Sequence, residues 1–208
     1  MKKLLLILAL CGWTAWVSAD ERTPEQIVEQ TSSELLQIIN EQSGRIKNEE
    51  GYVNQVINDL ILPVIDLQSM GKLILGKHWK TANEEQRQQF IEEFKSMLIR
   101  TYAKSVADYG HAKVTVFPPQ GEQEGRGHRV KSSLNIGNGT PLQVDYVFWQ
   151  KDGQWKVFDL VVDGLSLIKN FRTSFSQEIS ETSLDALIQR LAATNADASN
   201  TSTEAGAG

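Results

Sequence analysis

The stretch 142–172, LQVDYVFWQKDGQWKVFDLVVDGLSLIKNFR, reads as a long β-hairpin that runs into a helix. Asp152-Gly153 is a type I′ turn signal between two runs rich in Val, Phe, Tyr and Trp. With those two residues at the centre of the turn, Lys151 pairs with Gln154, Phe148 with Val157 and Tyr146 with Asp159. One face then carries Leu142, Val144, Tyr146, Phe148, Trp155, Val157 and Val161, interrupted only by Gln150 and Asp159. The other carries Val147, Trp149, Phe158, Leu160 and Val162, mixed with Gln143, Asp145 and Lys156. A hairpin with one solvated face alternates cleanly, and this one does not. Apolar material is therefore expected over much of both faces. A second turn, Asp163-Gly164, leads into a helical pattern at Leu165, Ile168, Phe171 and Phe175.

Upstream of the hairpin, two further strands are expected, Lys113 to Phe117 and His128 to Ile136, punctuated by Pro118-Pro119 and Gly137-Asn138-Gly139. Before them the pattern is helical. Thr23-Pro24-Glu25-Gln26 is a capping box with proline at the first helical position, followed by a stripe of Ile27, Thr31, Leu35 and Ile38 or Ile39. Ser43-Gly44 reads as a break. A second helix after Asn48 presents Tyr52, Val53, Val56, Ile57 and Leu60 and stops near Pro63. Asp66 caps a third, which turns Met70, Leu73 and Ile74 inward and closes at Gly76. The longest helix runs from the Asn83 cap to Gly110, with an inward stripe that includes Phe90, Phe94, Met97, Leu98, Tyr102 and Val106. Two helices follow the hairpin, about 165–180 and 183–193, the latter carrying Leu184, Leu187, Ile188 and Leu191. Helices first, sheet in the middle and helices last give an α+β domain with helices packed on an antiparallel sheet of about four strands. Its parts are a helical region of about 23–110, a sheet of about 113–162 and C-terminal helices of about 165–193, together forming one domain over 20–194. The tail, 195–208, is rich in Ala, Ser, Thr and Gly and is expected to be disordered.

Residues 1–19 have the form of a secretory leader. Lys2 and Lys3 precede an apolar core from Leu4 to Leu10, and Val17-Ser18-Ala19 fits cleavage before Asp20. The apolar run is far shorter than the roughly 20 residues of a spanning helix. Cys11 does not make a lipoprotein signal, because Leu10 is too bulky for the position before a lipidated cysteine. Removal of the leader deletes the single cysteine and takes the formal charge from −5 to −7 with the loss of Lys2 and Lys3. A mature chain without a thiol has neither disulfides nor cysteine catalysis, and an acidic exported domain is a poor partner for nucleic acid. The chain is expected to be exported and to be a monomer.

Catalytic motifs are missing. His78, His111 and His128 are far apart and lack metal-ligand spacing, so each reads as a surface or loop histidine and no metal is expected. No nucleophile elbow, phosphate loop, dinucleotide fingerprint or zinc-protease motif occurs. Gly121 to Gly127 carries Glu122, Glu124 and Arg126 and reads as a solvated loop. Asp159 alone invites an enzyme reading: opposite Tyr146 on the more apolar face, desolvation would raise its pKa toward that of a general base. The alternative is a carboxylate whose hydrogen bonds hold two strands in register. The abundance of apolar stripes also has two readings, a close-packed core or a hollow interior for a hydrophobic ligand.

From Thr23 to Leu191 the chain resembles the MlaC family, also called the toluene-tolerance family, of periplasmic phospholipid carriers. The resemblance is carried by Tyr52-Val53 and Leu62-Pro63, by Met70 to Trp79 (MGKLILGKHW), and by Asn83 with Gln86-Arg87, Phe90, Phe94 and Tyr102. It continues through Trp155-Lys156-Val157-Phe158-Asp159, Gly164-Leu165-Ser166-Leu167, Asn170-Phe171-Arg172 with Phe175, and Leu184-Asp185 with Leu187-Ile188 and Leu191. One departure is Asn83-Glu84, where many members have Thr-Pro; both start a helix. The resemblance implies an NTF2-like sheet enclosing an apolar pocket for acyl chains, with no catalytic motif and no cofactor, phospholipid being the cargo. It also implies shuttling between an outer-membrane MlaA–porin complex and an inner-membrane ABC transporter with an MCE-domain ring, which maintains outer-membrane lipid asymmetry. The two rivals are a small-molecule enzyme using Asp159 and a ligand-free periplasmic adaptor.

For such a pocket the stripes supply candidate lining residues. They are Val56 and Leu60 from the second helix, and Met70, Leu73 and Ile74 from the third. The long helix offers Phe94, Met97, Leu98, Tyr102 and Val106, and the hairpin region Val144, Tyr146, Phe148, Val157, Val161 and Leu165. At about 0.8 kcal/mol per methylene, two acyl chains of roughly 30 methylenes are stabilised by on the order of 25 kcal/mol on leaving water. A soluble carrier must replace nearly all of that apolar contact and still release the lipid.

Overall fold

A computed structural model describes residues 22–49, 51–106, 111–119, 127–137 and 139–204. The leader, the loop from Gly121 and the Gly110 helix stop lie outside the described residues. Helix α1 (Pro24–Glu41) begins with the capping box: Gln26 N donates to Thr23 Oγ1 at 3.3 Å and Thr23 N to Gln26 Oε1 at 2.9 Å. At Ser43-Gly44, where a break was expected, a short α2 (Ser43–Asn48) continues the chain. Arg45 there grips Glu49 through two nitrogens and lies 3.8 Å over the Tyr52 ring, which offsets the weak propensity of Gly44. The second helix is not uniform. Helix α3 (Tyr52–Val56) widens into a π-turn (Ile57–Ile61) and tightens into a 3-10 turn (Leu62–Val64) at Pro63, which has no N–H to offer.

Asp66 accepts a hydrogen bond from Ser69 N at 3.0 Å and starts α4 (Leu67–Leu75), which Gly76 ends at φ 54°. A one-turn α5 (Lys77–Thr81) follows, then α6 (Glu84–Val106), capped reciprocally by Asn83 and Gln86 at 2.8 and 3.0 Å. Strands β1 (Lys113–Val116), β2 (Gly127–Asn135), β3 (Leu142–Lys151), β4 (Gln154–Val162) and β5 (Leu165–Ser166) form one antiparallel sheet in chain order. This is the expected α+β architecture with one more, two-residue strand than the four anticipated. Helices α7 (Leu167–Glu181) and α8 (Leu184–Glu204) close the fold.

The hairpin turn is as read: Asp152 and Gly153 have φ 51° and 77°, and Lys151 pairs with Gln154, Phe148 with Val157. The pairing of Tyr146 with Asp159 is corrected. A β-bulge at Phe158 shifts the register, so that Val147 faces Asp159 and Tyr146 faces Leu160. A one-residue shift exchanges the faces of everything beyond it. Leu160 therefore joins Tyr146 and Phe148, while Asp159 and Val161 move to the opposite side. Leu165 is also corrected: it pairs with Val162 in β5 and is 76% exposed, because Ser166, not a residue before Leu165, caps the next helix by accepting from Lys169 N. Past Asn195, where disorder was expected, α8 continues to Glu204. Asn195 Nδ2 donates to Glu93 O and Oε2 at 3.1 and 2.7 Å, fixing the start of this extension against α6. Residues 205–208 lie outside the described residues.

Both faces of the sheet are covered, as its mixed patterning required. On one side Ile27 and Val28 of α1 pack with Val130, Phe148 and Val157. On the other a helical core joins α4, α6, α7 and α8, with Phe94 in edge contact with Phe171 and Phe175 at 5.2 and 6.5 Å between centroids. Phe158, thrown outward by the bulge, packs against this second core and stacks on Trp149 at 4.5 Å.

Candidate functional site

Helix α1 lies over one face of the sheet without closing on it completely. A cavity of about 140 Å³ remains between them. The helix contributes Ile27, Thr31 and Leu35, which the apolar periodicity turned inward, together with Val28 and Ser32, which lay outside that stripe. The sheet contributes Tyr146, Phe148, Val157 and Leu160. The rim is closed by Ile61 of the π-turn with Val64 and Ile65, a segment held at the β4 edge by a parallel bridge from Ile65 to Val157.

Thr31, Ser32 and Tyr146 are the polar residues of the lining. Burial raises the Tyr146 phenol above its ordinary 10.0, and hydrogen bonds with Ser132 and Ser32 offset part of that rise. Tyr146 is thus neutral and bound to both α1 and β2. Ser132 Oγ donates to Val144 O at 2.9 Å. A wall made mostly of aliphatic and aromatic carbon removes apolar surface from water.

At the N-terminal end of α1 a second polar contact joins helix to sheet. His128 Nε2 donates to Glu25 Oε1 at 2.5 Å, with the imidazole set edge-on to Trp155 at 5.7 Å. Burial raises the Glu25 pKa, but hydrogen bonding and charge from His128 more than offset this and hold it below its ordinary 4.5. A lowered folded pKa means stability that is present above the unfolded value and lost as pH falls through the folded one. Acidification below about pH 4.5 is therefore expected to loosen α1 from the sheet. Glu25→Gln should flatten that acid limb in pH-dependent urea melts, and an unchanged limb would show that the contact does not hold α1.

Of the residues proposed from sequence, Tyr146, Phe148 and Val157 line the cavity. Met70, Ile74 and Phe94 are buried in the helical core instead, with Leu73, Met97 and Leu98 packed against it. Val56 is buried in α3 and Leu60 half-buried in the π-turn, neither on the cavity wall. Tyr102 is 51% exposed, and the Val106 side chain lies outside the described residues. Val144 shares the face of Tyr146 but sits two pairs further along the sheet and is not part of the cavity lining. Val161 is on the opposite face because of the bulge. A helical stripe reports that a residue turns inward, not which of two interiors it enters. The lining residues missed from sequence are those of α1, the 61–65 rim and Leu160. The α1 stripe was visible as a signal, whereas Leu160 was hidden by the bulge.

Asp159 does not face Tyr146. On the far side of the sheet it accepts from Ser166 Oγ at 2.6 Å and from Ile168 N at 3.1 Å, tying β4 to the start of α7. Asp159→Asn is expected to leave cavity occupancy unchanged and to cost about 1–2 kcal/mol, the range of a lost helix-terminal hydrogen bond. Chemical denaturation checks the cost. Consumption of a substrate by the wild type but not by the variant would restore the enzyme reading. Among the described residues no group of three or more His, Cys, Asp or Glu could hold a metal ion.

The family model described as MlaC protein matches residues 29–193. An intermembrane phospholipid transport system binding protein, MlaC, of Haemophilus influenzae is 25% identical over 177 residues, covering 82% of this chain and 81% of its own. The toluene tolerance protein ttg2D of Pseudomonas putida is 28% identical over 177 residues, covering 85% and 81% respectively. A phospholipid-binding protein from Ralstonia solanacearum, solved in complex with a phospholipid, superposes with a TM-score of 0.78 at 28% identity, covering 86% of this chain and 99% of that one.

Proposed function

Since this chain belongs to the MlaC protein family, we propose that it is a periplasmic carrier that binds phospholipid by its acyl chains and shuttles it between the outer and inner membranes. The observation that supports this most is the apolar cavity between α1 and the sheet, in a chain that shares its fold with a phospholipid-binding protein. The proposed location rests on residues 1–19, read as a leader cleaved after Ala19, with 20–194 as the carrier domain. The proposed exchange partners are an inner-membrane ABC transporter with an MCE-domain ring and an outer-membrane MlaA–porin complex. Carriage needs no catalysis, and the hydrogen bonds of Asp159 with Ser166 and Ile168 support a structural role for that carboxylate.

A cavity of about 140 Å³ is smaller than the roughly 300–1,000 Å³ of ordinary ligand pockets. Lipid loading therefore requires outward movement of α1 or of the 57–65 rim. The rim suits this, since a π-turn and a 3-10 turn are weaker than continuous α-helix. Movement of a wall also provides for release: binding energy gained by burying methylenes is partly offset by opening the protein, so the lipid is held without being trapped.

Gently purified protein is expected to carry phospholipid with mixed head groups, because the cavity wall is apolar and offers no built phosphate site. Mass spectrometry of the extracted lipid checks this. A reproducibly lipid-free protein would overturn the carrier reading in favour of an adaptor.

A further inference from the structure

Lys72 lies in the last turn of α4, which Gly76 terminates. A Cβ at Gly76 would stand 3.0 Å from Nε of Arg172 on α7. Further along, His78 Nε2 lies 3.3 Å from Ser176 Oγ. These two contacts set α4 and α5 alongside the first half of α7. They bring Lys72, Lys77, Lys169 and Arg172 to one surface, with Lys80 one turn beyond Lys77. All five cations are exposed, and none makes an ion pair with a described residue. The segments 67–82 and 164–177 contain no Asp or Glu, although the chain as a whole has a formal charge of −5.

Elsewhere several surface cations are paired with carboxylates. Arg45 meets Glu49, Arg87 meets Glu84, Lys95 meets Glu92 and Arg190 meets Glu178. An ordinary solvated face would mix signs in the same way. Helix stability does not account for the cluster either. Lys72 suits the C-terminal turn of α4, but Lys169 is the third residue of α7, whose first turn has no acidic residue. The helix dipole disfavours a cation there.

We propose that the α4–α5–α7 face is a docking surface for an acidic patch on a membrane-bound protein partner. The inference rests on the carrier reading, which requires repeated encounters with membrane assemblies. A protein patch fits better than bare lipid. The net negative charge of the chain opposes approach to a uniformly anionic bilayer, whereas a discrete acidic patch engages these cations within a Debye length of about 8 Å. Complementary charge of this kind mainly accelerates encounter and sets orientation. The cavity lies across the sheet from this face, so a docked partner leaves α1 unobstructed.

The test uses the full mature chain and the variant Lys72→Glu/Lys77→Glu/Lys169→Glu, which spares Arg172 because its guanidinium packs on Gly76. Binding is measured to native membrane vesicles of the source cells and to protein-free liposomes made from the lipids of those membranes. The wild type is expected to bind native vesicles with an affinity that falls steeply with added salt. The triple variant should lose on the order of tenfold at low salt, and the liposomes should capture neither protein. Equal binding of the two proteins to native vesicles, no binding by the wild type, or equal binding of the wild type to liposomes would each overturn the proposal. Lipid-to-protein ratios of both proteins are measured in parallel. An unloaded wild type would count against the carrier reading itself, whereas loaded proteins that fail to dock count only against this surface.

Discussion

Leu160→Trp is expected to lower the lipid-to-protein ratio several-fold while the delipidated protein stays folded. Leu160 is on the cavity wall because the bulge at Phe158 places it opposite Tyr146. An indole there extends into space that acyl chains would otherwise fill. In a close-packed core such an insertion costs about 1–3 kcal/mol through forced rotamers and backbone shifts. Beside open volume the cost should fall to about 1 kcal/mol or less. Two companion substitutions separate lining from core. Val144→Trp, on the same face but beyond the cavity, should retain lipid. Leu98→Ala, within the helical core, should cost about 2–5 kcal/mol and leave loading per folded molecule unchanged. Stabilities must be compared after delipidation, because a bound ligand stabilises the native state by mass action. Full lipid loading of Leu160→Trp would remove the cavity from the site.

Asp66→Ala should be the most destabilising single change at a polar position, at about 3 kcal/mol. Asp66 is 5% exposed, and its carboxylate accepts from Ser69 N, Trp149 Nε1 and Lys151 Nζ at 3.0, 3.1 and 3.0 Å. Its own N–H donates to Val157 O at 2.8 Å. One residue thus caps α4, fixes the Trp149–Phe158 stack and positions the 61–65 rim of the cavity. Removing the carboxylate orphans a helix-terminal N–H and an indole N–H, while Lys151, being more exposed, can turn to solvent. Burial raises the Asp66 pKa, but hydrogen bonds from Ser69 and Lys151 lower it further, to a net position below the ordinary 3.8. Its contribution is therefore present above the unfolded pKa and lost as pH falls through the folded value. The stability difference between wild type and Asp66→Ala should narrow in urea melts as pH drops below about 4. A cost under about 1 kcal/mol at neutral pH would mean that water replaces these bonds and that the rim is not held by them.

Element identity was written locally. The Thr23–Gln26 and Asn83–Gln86 capping boxes, the Asp66 cap, the Gly76 stop and the Asp152-Gly153 turn each depend on a few adjacent residues. Local chemistry therefore predicted them, and the structure contains them. The mixed patterning of the hairpin likewise required a sheet covered on both faces, and the family resemblance pointed to a carrier. Tertiary structure decided which interior each apolar stripe entered. Met70, Ile74, Phe94 and Leu98 face a helical core across the sheet from the cavity, a partition that depends on how α4, α6, α7 and α8 meet one another. It also decided the bulge at Phe158. Pairing counted outward from the turn assumes an unbroken ladder, and the extra residue is tolerated because Phe158 finds Trp149 and the helical core to pack against. That single shift moved Leu160 to the cavity, Val161 away from it and Asp159 to the start of α7. No spacing within the hairpin could reveal it, because the energy that stabilises the bulge comes from residues far away in the chain.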